Sequence, residues 1–324
     1  MIKLDIIQNI ISKELTALND IIVQSLESSS PLMQEIVQMY LKTKGKQIRP
    51  ILVLLSARTF GVIDNKALNA AAAIEMLHNA SLIHDDVVDD SKKRRGYPTI
   101  NSIWDNHVAV LVGDFFVSNA LHRAIDTGDM RIIKSMSDLS KELAMGEIDQ
   151  INNARAHNVN EEIYFTIIKH KTASLFRSCV EVGGYAVGAT NEEITPLKKY
   201  AELLGSCFQI KDDIFDYFDD KEVGKPTGND LREGKITLPL IYALSKTEAT
   251  GHKEALALTR KDSLSSDEIN TLIDFTKQEG GIEYAYKTME AIRDDANKIL
   301  SCYAPSQSIN AFKEIFDYII ERDK

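Results

Sequence analysis

The chain has 324 residues, 44% of them hydrophobic and 27% charged, a make-up that excludes global disorder. Its formal charge of −10 argues against a general nucleic-acid binder, whose phosphate contacts need a basic surface. Seven prolines and sixteen glycines are few for this length, which suits long helices better than strands and turns.

Apolar residues recurring at three and four positions predict helix along most of the chain. Residues 1–26 read as one helix on Leu4, Ile7, Ile11, Leu15, Leu18 and Ile22. Charges interrupt the apolar positions of this segment and no cleavage pattern follows, so it does not read as a signal peptide. Pro31 opens a second helix, Pro50 lies near the start of a third, and Gly61 ends it. Asp64 or Asn65 then caps a helix running to about Ser91. The basic loop KKRRGYPTIN follows it. Further helices are predicted over 102–124, 130–152, 160–185 and 192–218. A second loop, 221–234, holds Gly224, Pro226 and Gly228, and shorter helices broken near Gly251, Gly280 and Pro305 complete the chain.

No shift in composition marks a boundary. The expectation is a single all-α domain over residues 1–324, with about a dozen helices around a central core or cavity. The longest apolar stretch, 108–121, is interrupted by Gly113, Asp114, Ser118 and Asn119. It reads as too short and too polar to cross a bilayer, so no transmembrane segment is expected. Cys179, Cys207 and Cys302 lack any paired spacing and read as reduced core thiols of a cytoplasmic protein.

The strongest signal is a repeated pattern. Asp85-Asp86-Val-Val-Asp89 and Asp212-Asp213-Ile-Phe-Asp216 are both DDxxD, each near the predicted end of a helix. The first and last aspartates of each lie one turn apart on a shared face, at about 5–6 Å between Cβ atoms. Like charges at that spacing destabilise a bare helix, and acids at a helix C-terminus oppose its dipole. A divalent cation removes both penalties. Carboxylates without His or thiolate select a hard ion, Mg²⁺ above others, held together with substrate phosphates. Basic residues follow each cluster: Lys92, Lys93, Arg94 and Arg95 after the first, Lys221, Lys225, Arg232 and Lys235 after the second. A third basic group is Lys44, Lys46 and Arg49. Alternating acids and bases suit a metal–diphosphate ligand.

The segments KGKQIRP, EMLHNASLIHDDVVDD, RRGYPTIN, VGDFF, KTASLF, FQIKDDIFD and GKPTGNDLREGKITLP, in that order, resemble the trans-isoprenyl diphosphate synthase (polyprenyl synthetase) family. The resemblance runs from Lys44 to Pro239, and the last eighty-odd residues carry no family motif. Lys44 departs from the glycine common there in the family, leaving Gly45, Lys46 and Arg49 in place.

The resemblance implies the isoprenoid synthase fold, mostly antiparallel helices around a deep cavity, in a homodimer. It implies transfer of an allylic diphosphate onto isopentenyl diphosphate with about three Mg²⁺. By the same resemblance Asp85, Asp89 and Asp212 would ligate the metal, with Asp86, Asp213 and Asp216 acting through water or as supports. Arg94, Lys171, Thr172, Gln209, Lys225 and Lys235 would line the allylic site. Lys46, Arg49, His78 and Arg95 would hold isopentenyl diphosphate. His78 lies seven residues before Asp85, on about the same helix face.

In this family a bulky aromatic four or five residues before the first aspartate shortens the product. Here those positions are Ser81 and Ala80, both small, with Leu77 and Met76 one turn deeper. The expectation is a long-chain polyprenyl product of about seven to ten isoprene units by family analogy, with Leu77, Met76 or Met145 as candidate plugs. Release of such a product implies transient membrane contact. The alternatives are a short-chain farnesyl or geranylgeranyl synthase, a terpene cyclase, and a non-catalytic subunit of a heteromeric synthase. The second DDxxD argues against a cyclase. Intact aspartates and arginines argue against a subunit that has lost its chemistry.

Overall fold

The computed structural model describes residues 3–42, 45–218 and 227–322. Backbone contacts divide the chain into two compact units, each assembled from segments distant in sequence. One comprises Met1–Asp138, Ser178–Lys198 and Ala304–Glu314; the other comprises Leu139–Arg177, Lys199–Tyr303 and Ile315–Lys324.

The first unit contains α1 (Lys3–Ile10), α2 (Ser12–Ser25), α3 (Pro31–Lys42), α4 (Ile48–Phe60), α5 (Asn65–Val88), α6 (Ile100–Ile103), α7 (Asn106–Asp126) and the start of α8 (Met130–Arg155). The single helix expected over 1–26 is therefore two, because buried Ile11 leaves helical geometry (φ −128°, ψ 28°). In α4, Pro50 sits in the first turn, where a missing N–H costs nothing, and the run from Ile51 to Leu55 is fully buried. A helix apolar on all sides is a core helix. The Asp64 carboxylate accepts the Ala67 N–H at 3.1 Å and starts α5. Its alanines 70–73 are all fully buried and let neighbouring helices approach. At Gly113 of α7 the His84 ring takes the space of a side chain, since a Cβ there would lie 2.2 Å from Nε2. The glycine of VGDFF thus admits the residue before Asp85.

The apolar stretch 108–121 lies within α7. Helix α7 spans 21 residues, and an 18-residue window in it, 33% buried, has mean hydropathy 1.3; length and composition alone would let it cross a bilayer, a test that a core helix also passes. Asp114, Ser118 and Asn119 do not break it: the hydroxyl of Ser118 and the amide of Asn119 donate back to carbonyls one turn earlier, at 2.8 Å each.

The basic loop folds as a small hairpin, β1 (Lys93–Arg94) and β2 (Tyr97–Pro98), paired antiparallel. Arg95 (φ 53°) and Gly96 (φ 80°) form its two-residue turn. Positive φ at both positions is the primed geometry that matches strand twist. These are the only strands among the described residues.

The second unit holds the rest of α8, α9 (Glu161–Ile168), a π turn (Lys169–Ala173), the start of α10 (Ser174–Ala186) and most of α11 (Asn191–Phe215). It continues with α12 (Asn229–Arg232), α13 (Leu238–Ser245), α14 (His252–Leu258), α15 (Ser266–Gln278), α16 (Gly281–Leu300) and the end of α17 (Gln307–Glu321). Apolar α13 packs against α15 and α16. Tyr200 of α11 meets Phe316 of α17 edge to face, ring centres 5.7 Å apart. The helix expected over 160–185 is interrupted by the π turn, which backs onto Gly146 of α8: a Cβ there would lie 2.7 Å from the Lys171 nitrogen. Seventeen α-helices among the described residues exceed the dozen expected, because four-residue helices such as α6 and α12 are shorter than one period of a reliable pattern. Cys179 and Cys207 are buried as expected. Cys302 is exposed, because it sits in the turn after α16 rather than on a packed helix face.

Candidate active site

The first aspartate cluster closes α5. The Asp89 N–H donates to the Asp85 carbonyl at 2.8 Å, which fixes the two residues one turn apart. Asp85 and Asp89 are half-exposed, whereas Asp86 is 7% exposed. Arg94 of the hairpin donates to the Asp86 carboxylate through Nε and Nη2, both at 2.8 Å. The Asn101 amide donates to the backbone carbonyls of Asp86 (3.1 Å) and Ser91 (3.2 Å), and Thr99 to that of Ser91 (2.7 Å). The acidic helix end and the basic hairpin are thus one hydrogen-bonded piece. Arg94, expected to bind the allylic diphosphate, is here paired with an aspartate of its own motif.

Behind this cluster lies a cationic region. Lys46 is exposed, Arg49 is half-buried and His78 is 6% exposed. Burial holds the His78 imidazole well below its usual pKa, and Arg49, Arg95 and Arg94 depress it further, so the ring is neutral. The Arg95 guanidinium lies over Gly45, where a Cβ would stand 2.6 Å from its nitrogen. Any side chain at 45 would move Arg95. Two open pockets, about 450 and 370 Å³, share Tyr40 and Arg95 in their walls. Tyr40 donates to the Asn79 side chain at 3.2 Å and meets Phe116 edge to face.

The second cluster ends α11. Asp212 is half-exposed and forms an ion pair with Arg322. Asp213 is 3% exposed and accepts from Tyr164 (2.6 Å) and from the Gln209 amide (2.8 Å). Burial pushes Asp213 up to about 7, with Asp212 and Asp216 adding to the rise and those two hydrogen bonds opposing it. The Asp216 carboxylate accepts the N–H groups of Asn229 (2.9 Å) and Asp230 (3.0 Å), which places the GNDLREGK segment beside the cluster. Burial first, then Asp216 and Asp213, push Asp230 well above the usual carboxylate range. The Thr172 hydroxyl donates to Gln209 Oε1 at 2.7 Å. Thr172, Gln209, Asp213 and Tyr164 therefore form one chain of hydrogen bonds. Lys171, in the π turn, pairs with Glu147 at 2.5 Å, and Lys235 pairs with Glu233. Lys225, with Lys44 and Lys221, lies outside the described residues.

On α5, Met76 and Ala80 are fully buried and Leu77 nearly so, while Ser81 is half-exposed on the Asp85 side of the helix. Met145 is 46% exposed.

Among the described residues no three His, Cys, Asp or Glu side chains converge into a ready-made metal cage. Asp85, Asp89 and Asp212 are half-exposed, Asp212 while paired with Arg322, whereas Asp86 and Asp213 are buried against partners in the protein and Asp216 accepts two backbone N–H groups. Few, oxygen-only, partly solvated donors fit a hard cation that keeps waters and takes phosphate oxygens as further ligands. Sequence reasoning passed over Tyr164, Asn101, Asp230, Glu75 and Arg322. Asn101, Asp230 and Glu75 lie inside the quoted motifs, where their charge or amide was a usable signal. Tyr164 and Arg322 carry none, because only folding brings them to Asp213 and Asp212.

A model of the family described as polyprenyl synthetase matches residues 30–276. The all-trans-nonaprenyl-diphosphate synthase (geranyl-diphosphate specific) of Rhodobacter capsulatus is 37% identical over 279 residues, 86% of this chain and 85% of that protein. Two crystal structures superpose on nearly the whole chain. The polyprenyl synthase of Caulobacter crescentus, complexed with calcium and isoprenyl diphosphate, gives a TM-score of 0.93 at 28% identity, over 99% of this chain and 98% of that one. The geranylgeranyl pyrophosphate synthase of Bacteroides thetaiotaomicron gives 0.85 at 38% identity, over 99% of both chains. With its two aspartate-ended helices, its basic hairpin and this match across most of its length, the chain belongs to the polyprenyl synthetase family of prenyltransferases.

Proposed function

We propose that this chain condenses isopentenyl diphosphate with an allylic diphosphate, head to tail and trans, to make a long-chain polyprenyl diphosphate. The observation that carries this reading is the pair of DDxxD helix ends, each with half-exposed aspartate and a basic partner, in a chain 37% identical to a nonaprenyl synthase over most of its length.

Asp85, Asp89 and Asp212 would hold Mg²⁺, about three ions as the family resemblance implies. Bound there, the metal would draw negative charge from the departing diphosphate and ease ionisation of the allylic C–O bond. Arg94, Lys171, Lys225 and Lys235 would bind the allylic diphosphate oxygens, which requires Arg94 and Lys171 to share or leave Asp86 and Glu147. Lys46, Arg49 and Arg95 would bind isopentenyl diphosphate, with neutral His78 giving an N–H rather than a charge. Thr172 and Gln209 would face the cationic carbon, and the Gln209 oxygen already takes a hydroxyl proton from Thr172. No side-chain base is required if the released diphosphate accepts the final proton. Both compact units contribute to the matched span, which supports treating residues 1–324 as one catalytic domain. The reading includes a homodimer working in the cytoplasm, with transient membrane contact for product release.

Small residues at Ala80 and Ser81 favour a product of seven to ten isoprene units by family analogy, roughly C35–C50. A geranylgeranyl product is the second reading, favoured by the likeness to the Bacteroides enzyme. Incubating the protein with Mg²⁺, isopentenyl diphosphate and farnesyl diphosphate, then sizing the alcohols, separates the two. Extension stopping at C20 selects the second reading, and no consumption of either substrate refutes both.

A further inference from the structure

Glu75 lies mid-way along α5, one turn before His78 and Asn79. It is 8% exposed, and among the described residues its Oε2 has no hydrogen-bond partner. A buried carboxylate oxygen left in that state is costly unless cations face it. Glu75 lines the open pocket of about 370 Å³ together with the cationic Arg95, and with Gly45, Tyr40 and Asn79. Burial pushes the Glu75 carboxyl up, and Arg49, then Arg95, pull it back. These two arginines are the ones assigned above to isopentenyl diphosphate.

We propose that Glu75 is a positioning residue of the isopentenyl diphosphate site, a buried carboxylate that orients the Arg49 and Arg95 guanidiniums toward that diphosphate. The inference rests on the function proposed above. Several cations converging on an empty site repel one another, and flexible guanidiniums would turn outward to water. One fixed negative charge beneath them holds them in place, so less ordering remains to be done when the ligand arrives. Gly45 serves the same end by leaving room for Arg95. Glu75 touches neither reacting carbon and takes no part in ionisation.

The test is steady-state kinetics of Glu75→Gln, which keeps the shape and removes the charge, and of Glu75→Asp, which keeps the charge on a shorter arm. Each substrate is varied with the other saturating. In Glu75→Gln the KM for isopentenyl diphosphate rises about tenfold or more, a factor equivalent to about 1.4 kcal/mol. The KM for the allylic diphosphate changes less than threefold, and Glu75→Asp recovers part of the loss. An isopentenyl KM within twofold of wild type, or an equal rise in both KM values, overturns the proposal. Wild-type turnover is the control. Its absence defeats the proposed function itself, whereas active wild type beside an unaffected Glu75→Gln defeats only the role of Glu75.

Discussion

Replacing Arg322 by glutamine in the metal-free protein removes the cation that faces Asp212. The Arg322 side chain is 8% exposed, donates to Asp212 and to the Phe208 carbonyl (3.2 Å), and lies 4.2 Å above the Phe208 ring and 5.3 Å from that of Phe215. Asp212 is 41% exposed, so solvent screens the ion pair to about 1 kcal/mol at most. Stacking of a largely desolvated guanidinium adds about 1 kcal/mol. Together these give about 2 kcal/mol, or roughly 4 °C in Tm at about 2 °C per kcal/mol for a chain of this size. Thermal and urea unfolding in EDTA measure the loss. A double-mutant cycle with Asp212→Asn separates the ion pair from the stacking, and its coupling energy is expected at about 0.5–1 kcal/mol. A Tm within 1 °C of wild type would refute the stabilising role, and strictly additive effects would refute the pairing with Asp212.

Asp85→Ala removes an expected metal ligand, so it lowers turnover by about a hundredfold or more while the protein stays folded; near-normal turnover counts against the metal assignment. Ser81→Phe, at the half-exposed position beside Asp85, shifts the product toward fewer units in the sizing assay, and an unchanged profile removes Ser81 from chain-length control. His78 supplies a pH test. Its folded-state pKa is depressed, so below pH 6.5 the unfolded chain takes up a proton that the folded chain refuses. Stability from this group is complete above pH 6.5 and falls as pH drops toward the depressed folded-state pKa, by at most about 1.4 kcal/mol per unit. Urea unfolding at pH 7 and pH 5 should show that loss in wild type and less of it in His78→Gln; equal losses refute a neutral buried His78.

The helical class, most helix positions and both aspartate clusters were legible in the chain because they depend on local spacing. A 3.6-residue period, a proline in a first turn or two acids four residues apart constrain structure within a few turns. Boundaries were less legible where a tertiary contact set them. The π turn around Lys171 needs the bare backbone of Gly146, and the break at Ile11 carries no glycine or proline to announce it. The hairpin around Arg95-Gly96 is legible only as a loop, because its strands are two residues long.

By itself the sequence determined that this is a helical protein with two carboxylate clusters flanked by bases, and its motif order pointed to the polyprenyl synthetases. Only the tertiary structure decided how far each carboxylate is buried and which group it meets. Asp86 is claimed by Arg94, Asp213 by Tyr164 and Gln209, and Asp216 by the backbone of residues 229 and 230. Within each cluster the aspartates are chemically identical in sequence. Burial and distant hydrogen-bond partners distinguish them, and those partners are up to 49 positions away for Asp213 and 110 for Asp212. Neither periodicity nor spacing encodes separations of that length; they are set when the helices pack.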